Sequence, residues 1–277
     1  MLSTTFRMIG ARRVCYQRCL LSSSSSSLVV TSVNEETKVA TLSMNRPPVN
    51  SLSLELCEAI SEGIKEIEAT KAQAMILTSS TKVFSAGLDL LEMYEPEEQR
   101  LREFWTAVQQ VYLDLHGSRL ATIAGINGPA PAAGCMMAMA CDYRISNRKG
   151  IMGLNEAQFG LVAPPWMGDL MLKTVGQREA EKALMLGTLY PAEDALQIGL
   201  IDELVDDDIV EVCKERALKW TKIPPHSRVA SKMLLRQHQL DKVAATRSED
   251  LDLFVNVCFS DKVQKNLGLY LESLKKK

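Results

Sequence analysis

Two turns built from small residues, each directly after a short apolar run, constrain this chain more than any other feature. The first turn spans residues 84–90 after the run 74–78, and the second spans residues 127–135 after the run 120–126. Short apolar runs that end in a turn are typical of buried strands. The pattern predicts strand–turn–helix units of an α/β fold, with room for a ligand to approach the backbone at both turns.

The same turns offer hydrogen-bond donors. The first N–H groups of a helix have no partner inside the helix, so a turn that opens a helix is able to point them at an anion. Two such turns aimed at one oxygen would form an oxyanion hole. Further along, Glu156 stands among apolar neighbours, where burial would raise its pKa toward the range of a general base. Together these features indicate a proton-transfer site. The alternative is a glutamate that only stabilises a helix N-terminus.

Three segments, taken in order, resemble the crotonase, or enoyl-CoA hydratase/isomerase, superfamily. They are residues 84–90 (FSAGLDL), 127–135 (NGPAPAAGC) and 153–160 (GLNEAQFG). The resemblance extends from about residue 29 to the C-terminus. Within the superfamily, three segments resemble the mitochondrial Δ3,Δ2-enoyl-CoA isomerase branch: residues 47–53 (PPVNSLS), 84–90 and 153–156 (GLNE). The resemblance implies an α/β fold with a ββα spiral core, followed by a helical region that forms a homotrimer and helps to cover the ligand.

The resemblance also implies a reaction and the residues that carry it. Glu156 would remove a proton from C2 of a 3-cis- or 3-trans-enoyl-CoA and return it to C4, which gives 2-trans-enoyl-CoA for fatty acid β-oxidation. Leu88 and Ala133 match the two backbone N–H donors of the family's oxyanion hole. The family usually has glycine at the position of Ala133. A Cβ there would crowd the thioester, or would strain the backbone if φ is positive.

Further residues are expected near the substrate on the same grounds. Asp89 would either orient the first turn through backbone N–H groups or contact the substrate. Trp166 would either line the acyl pocket or belong to the core. CoA enters as part of the substrate, and neither a redox cofactor nor a metal is expected. The substrate-binding residues implied by the resemblance are Ala86, Gly87, Leu88, Asp89, Leu90 and Ala133.

The residue after the Gly-Cys step of the second turn separates two reactions within the superfamily. Enoyl-CoA hydratases carry a glutamate there, and two carboxylates hold and activate the water that adds to the double bond. In this chain the position is Met136, which has no proton to transfer. One carboxylate suffices for a 1,3-proton shift, so the sequence favours an isomerase over a hydratase. A non-catalytic acyl-CoA-binding paralogue stays open, because Ala133 favours it and Glu156 opposes it.

Composition and charge exclude several classes of partner. The 277 residues carry a formal net charge of -2, which argues against nucleic acid or an anionic membrane as the main partner. No apolar run approaches the roughly 18 residues that span a bilayer. The seven cysteines include no CxxC pair and the three histidines are isolated. This pattern predicts reduced thiols and no structural metal site.

The first 28 residues differ from the rest of the chain. They contain several arginines and the serine tract 22–27, and no acidic residue precedes Glu35. This composition is typical of a mitochondrial transit peptide and predicts a matrix protein; a basic tail is the alternative. We expect a transit peptide at 1–28, a spiral core with the active site at 29–198, and a C-terminal strand and helical trimerisation region at 199–277.

Apolar periodicity predicts the individual elements. A helix capped by Ser51 or Ser53 is expected to follow a first hairpin. The predicted strands cover 29–33, 38–44, 74–78, 120–126 and 142–146, with a short strand within 199–205. The predicted helices cover 104–116, 135–140, 178–186, 192–197, 209–220 and 227–240.

Overall fold

The computed structural model describes residues 27–206 and 208–275, in which nine strands and nine α-helices form. The expected transit peptide lies outside the described residues except for 27 and 28. Two short 3-10 helices cover Leu90–Glu92 and Glu156–Phe159. The strands are β1 (Val29–Asn34), β2 (Val39–Met44), β3 (Ala74–Ser79), β4 (Ala121–Ile126), β5 (Ala130–Pro131), β6 (Tyr143–Asn147), β7 (Ile151–Gly153), β8 (Tyr190–Pro191) and β9 (Glu203–Val205). The helices are α1 (Leu54–Glu68), α2 (Glu98–Gly117), α3 (Ala133–Ala140), α4 (Pro165–Val175), α5 (Gln177–Leu186), α6 (Ala192–Gln197), α7 (Ile209–Thr221), α8 (Pro225–Cys258) and α9 (Asp261–Lys275).

The main sheet has six strands in the order β1-β2-β3-β4-β6-β9. β1 and β2 form the predicted antiparallel hairpin, and the remaining neighbours pair in parallel. The Asn34 side chain accepts the N–H groups of Glu36 and Thr37, which fixes the hairpin turn. Every residue of β3 and β4 is buried, as their continuous apolar runs predicted for strands covered on both faces.

Helices cover the two faces of this sheet. Met75 and Leu77 face the larger core cluster, in which Ile64 of α1 is buried, whereas Ile76 faces a smaller cluster that includes Cys213 of α7. Successive side chains of a strand point to opposite faces, so one short run supplies both clusters. The predicted cap of α1 forms at Ser53, whose hydroxyl accepts the Leu56 N–H across 3.4 Å.

A small second sheet, β5-β7-β8, lies beyond the carboxyl ends of the central strands. β5 pairs in parallel with β7, so that Pro131 is opposite Gly153. The next residue continues this contact, because the Ala132 N–H donates to the Gly153 carbonyl across 2.8 Å. This sheet therefore brings the second turn next to the segment that contains Glu156.

The C-terminal helices are longer and more numerous than the periodicity predicts. α8 runs from Pro225 to Cys258, whereas the sequence predicts only 227–240, and α4 and α9 are not predicted. α8 packs on α2, and buried Lys232 bonds to Asp142 across 2.9 Å. β9 completes the main sheet beside β6. In the part of the chain that the structure describes, no helix is both long and apolar enough to cross a membrane.

Candidate active site

The first turn is held against the loop that follows β2. The Leu52 N–H donates to the Gly87 carbonyl across 2.8 Å, and the Asp89 N–H donates to the Leu52 carbonyl across 2.9 Å. The Ala86 N–H bonds to the Val49 carbonyl across 2.9 Å. Between these bonds, the N–H of Leu88 donates to no residue in the described ranges 27–206 and 208–275. The turn therefore presents one backbone donor that is free for a ligand.

Gly87 is the point at which the two turns touch. Its φ is +88°, a conformation that side chains other than glycine rarely adopt. A Cβ at Gly87 would lie 3.0 Å from the Cβ of Ala132 and 3.2 Å from the carbonyl oxygen of Pro131. The same Cβ would lie 3.5 Å from the backbone nitrogen of Ala133. The two predicted donor turns are thus neighbours in space, although more than forty residues of chain lie between them.

The second turn opens α3, and Ala133 is its first residue. Its N–H has no acceptor among the residues the structure describes, as the first N–H of a helix has no partner inside the helix. The positive φ that the sequence analysis considered for Ala133 falls one residue earlier, at Ala132, with φ +50° and ψ -123°. Ala133 itself is helical and buried, so its extra Cβ brings no left-handed backbone strain.

Glu156 begins the 3-10 helix that follows β7, and its side chain is half-buried. Its Oε2 atom is buried without a hydrogen-bond partner in the described structure. Burial raises the pKa of Glu156 to about 7, the direction that its apolar neighbours predicted. A helix N-terminus would lower the pKa instead, as the backbone N–H of Glu156 itself does here, but burial is the larger effect at this carboxyl group.

No second carboxylate faces Glu156 from α3. Met136 occupies the position at which a second carboxylate would stand, and it is fully buried, as is every residue of α3. Burial raises the pKa of the neighbouring Cys135 thiol to about 12, and the charge of Glu156 is the second, smaller cause of this shift. Within the described ranges, no group of three or more His, Cys, Asp or Glu side chains could hold a metal ion.

Asp89 contacts the protein with both carboxylate oxygens. Oδ1 accepts the Leu91 N–H across 3.1 Å, and Oδ2 pairs with the Arg46 guanidinium across 2.6 Å. Arg46 also donates to the Ser51 carbonyl across 2.9 Å. These contacts agree with the first of the two roles considered for Asp89, that of orienting the turn. The sequence around Arg46 does not predict this contact, because its partner is 43 residues away.

Trp166 lies in the core. Its side chain is 5% exposed, its ring centroid lies 4.7 Å from that of Tyr112, and its Nε1 donates to Asp250 across 3.2 Å. Of the two roles considered for Trp166, acyl pocket or core, these contacts favour the core.

Helix α9 holds the segment that carries Glu156, a contact that the sequence analysis did not predict. Asn266 donates to the Phe159 carbonyl across 3.0 Å, and the ring of Tyr270 meets the Phe159 ring edge-on at 4.8 Å. On the opposite side, Gln158 donates to the Gly187 carbonyl across 2.7 Å. The 3-10 helix is therefore fixed from two directions.

Comparison with known proteins shows the family of this chain. The sequence model of the enoyl-CoA hydratase/isomerase family matches residues 34–277, and the chain belongs to that family. It is 42% identical to the rat protein named enoyl-CoA delta isomerase 1, mitochondrial, over 97% of this chain and 91% of the relative. The human protein of the same name is 39% identical over 96% of this chain and 86% of its own.

The fold has a solved counterpart. The crystal structure of human mitochondrial delta3-delta2-enoyl-CoA isomerase superposes with a TM-score of 0.88 at 37% identity, covering 90% of this chain and 98% of that chain. The predicted family and the predicted α/β fold with C-terminal helices are both confirmed.

Proposed function

We propose that this protein is a Δ3,Δ2-enoyl-CoA isomerase, which converts 3-cis- and 3-trans-enoyl-CoA into 2-trans-enoyl-CoA in fatty acid β-oxidation. Glu156 removes a proton from C2 of the thioester, and the electrons pass through the dienolate to its oxygen. The same carboxyl group then returns the proton to C4, so no atom is gained or lost. The names of the rat and human relatives, at about 40% identity over nearly the whole chain, support this proposal.

The observation that carries the proposal is the environment of the Glu156 carboxyl group, which has a raised pKa and one buried oxygen without a partner. A base with a pKa of about 7 is ionised in a large share of molecules near neutral pH, and its conjugate acid is still able to give the proton back. Its buried oxygen has no partner in the described structure, so it is free to meet a substrate proton. A carboxylate in an ion pair would have a lower pKa and would be a poorer proton acceptor.

The dienolate needs donors that are already in place. The N–H groups of Leu88 and Ala133 are without acceptors in the described ranges and belong to turns that touch at Gly87. We assign them to the oxyanion hole. The loss of one such donor typically raises an activation barrier by about 2.7–4 kcal/mol, so this pair would supply a large part of the catalysis.

Met136 supports isomerisation over hydration. Hydration needs a water held and activated between two carboxylates in this family, and α3 offers only apolar buried side chains beside Glu156. A single acid–base group fits a proton that leaves one carbon and returns to another.

The remaining assignments follow from the same resemblance. CoA binds as part of the substrate along residues 86–90, and no separate cofactor takes part. We place the protein in the mitochondrial matrix after removal of residues 1–28, and the rat relative is named as mitochondrial. We also propose a homotrimer formed through the region 199–277. Leu234 and Leu235 of α8, 85% and 78% exposed, support a surface that another subunit covers.

The test is turnover of 3-cis- and 3-trans-enoyl-CoA of several chain lengths by residues 29–277, with the products separated by chromatography. We expect 2-trans-enoyl-CoA from both substrates. A parallel incubation with 2-trans-enoyl-CoA should give little 3-hydroxyacyl-CoA. Rapid hydration would make the protein a hydratase, and binding without either reaction would make it an acyl-CoA-binding paralogue.

A further inference from the structure

The hydroxyl group of Ser85 lies where the two donor turns meet. Ser85 is fully buried, and its Oγ donates to the Asn50 carbonyl across 2.8 Å while it accepts the Gly87 N–H across 3.2 Å. One hydroxyl thus satisfies a buried acceptor of the loop after β2 and a buried donor of the first turn. The next peptide N–H along the chain belongs to Leu88, so the direction of that donor depends on this bond.

The backbone of Ser85 contacts the second turn. Its N–H donates to the Pro129 carbonyl across 3.3 Å, beside the Phe84 N–H, which donates to the same oxygen across 3.0 Å. A Cβ at Gly134 would lie 2.6 Å from the Ser85 carbonyl oxygen and 3.2 Å from the Ser85 Cβ. The first turn of α3, which begins with the donor Ala133, therefore packs directly on Ser85.

Asn50 fixes the carbonyl to which the Ser85 hydroxyl donates. It is fully buried with φ +48°, a region in which asparagine is better tolerated than most residues. Its Nδ2 donates to the Phe84 carbonyl across 3.1 Å and to the Ser79 Oγ across 2.6 Å, and its Oδ1 accepts the Arg46 N–H across 2.7 Å. The acceptor of the Ser85 hydroxyl is therefore held by bonds to β3, to the first turn and to its own loop.

From these contacts we infer that Ser85, anchored by Asn50, is the positioning residue that sets the direction and spacing of the oxyanion donors Leu88 and Ala133. The inference rests on the proposed function, since it concerns the same site. Ser85 has no exposed surface, so it acts through the backbone and not by touching the thioester. Donors in a site of this kind are effective only when they are aimed at the oxygen before the reaction begins.

The test compares Ser85→Ala with Ser118→Ala as a matched control. Ser118 is also buried, and its hydroxyl donates to Glu68 across 2.6 Å and accepts the Leu120 N–H across 3.2 Å, at the opposite end of the strands. We expect Ser85→Ala to lower kcat by about tenfold to a hundredfold with a much smaller change in KM, because misplacement affects the transition state most. Ser118→Ala should lose stability and keep kcat.

A second measurement does not depend on turnover. The thioester carbonyl of bound hexanoyl-CoA, labelled with ¹³C at that carbon, is followed by vibrational difference spectroscopy. Two aligned donors lower its stretching frequency, so we expect a smaller shift in Ser85→Ala than in the wild type or Ser118→Ala. A wild type that binds but does not isomerise would refute the proposed function, and the carbonyl shift would still test the inference.

The inference would be overturned if folded Ser85→Ala kept the kcat and the carbonyl shift of the wild type. If thermal unfolding shows that Ser85→Ala does not fold, Ser85→Cys takes its place, because a thiol fills nearly the same space and hydrogen-bonds weakly. We expect intermediate values of kcat and of the carbonyl shift for that variant. Wild-type values for both would equally refute the positioning role.

Discussion

The Ala132 N–H donates to the carbonyl of Gly153 across 2.8 Å, and this bond joins the turn that holds one proposed oxyanion donor to the segment that holds the proposed base. It follows from the register of β5 and β7, in which Pro131 lies opposite Gly153. Ala133 comes one residue after the bond and Glu156 three residues after it. The proposed base, Glu156, and the proposed donor, Ala133, are therefore placed relative to each other by a short stretch of backbone.

Gly153 should tolerate no side chain. A Cβ there would lie 2.1 Å from the Thr188 carbonyl oxygen, which belongs to backbone and has little freedom to move. We expect Gly153→Ala to lower the free energy of unfolding by about 3 kcal/mol and to abolish turnover, since crowding in a packed site displaces the backbone. Gly176→Ala is the control, because Gly176 also has a positive φ, +81°, but nothing lies within 4 Å of its added Cβ. Equal losses in denaturant unfolding would show that crowding at Gly153 is not the cause.

The rate should depend on pH through Glu156. Because burial raises its pKa to about 7, the carboxyl group is neutral and inactive as a base at lower pH. We expect kcat/KM for 3-cis-enoyl-CoA to fall tenfold per pH unit below an apparent pKa of about 7, as one required deprotonation dictates. A profile that stays flat down to pH 5 would mean that the free enzyme does not use a desolvated carboxylate.

The free energy of unfolding should also depend on pH through Glu156. Catalysis needs the ionised carboxylate, whereas the folded state favours the neutral carboxyl group. The folded pKa of about 7 is higher than the ordinary value of 4.5, so Glu156 favours folding below pH 4.5 and loses that contribution as the pH rises to 7. Glu156→Gln does not titrate. Relative to the wild type it should therefore gain up to about 3 kcal/mol in unfolding free energy between pH 4.5 and pH 8.

Denaturant unfolding of both proteins at several pH values measures this gain. Glu66→Gln, at an exposed position on α1, removes the same formal charge from the surface and serves as the control. If the stability difference between Glu156→Gln and the wild type did not change with pH, Glu156 would not be desolvated in the folded protein.

Neighbouring alanines in the second turn should respond differently to replacement by glycine. Ala132 has φ +50° and ψ -123°, a backbone region that costs a residue other than glycine about 1–3 kcal/mol, so Ala132→Gly should be neutral or stabilising. Ala133 starts a helix, and glycine there should cost about 0.5–1 kcal/mol. Thermal unfolding of the two variants checks this order. The reverse order would place the strained residue at Ala133, where the sequence analysis considered it.

The sequence predicts the central strands well because their signal is local. Residues 74–78 and 120–126 are continuous apolar runs, and both form strands that are buried on each face. The second half of α8 is different. Its polar surface hides the helical period, and it is held by long-range contacts such as that of Asp250 with Trp105, 145 residues away. The small sheet is missed because β5 and β8 have two residues each.

The residues of the candidate site also differ in whether their local sequence indicates them. Glu156, Leu88 and Ala133 lie in short segments with a recognisable order, so sequence alone names them. Asn50 and Ser85 meet only after folding, across 35 residues of chain, and nothing in their local sequence indicates a shared bond. The sequence also does not show which residue of the second turn has the positive φ. Ala132 and Ala133 have the same side chain, but their backbone conformations differ.

In the proposed reaction one desolvated carboxylate moves the proton, and the variant Glu156→Gln examines this step. The variant keeps the shape of the side chain and removes the base. We predict that its turnover of 3-cis-enoyl-CoA falls by about 10³-fold or more, because general acid–base catalysis is lost, while it still binds the thioester. A Glu156→Gln enzyme that isomerises within a few-fold of the wild-type rate would rule out Glu156 as the base and assign the proton transfer to another group.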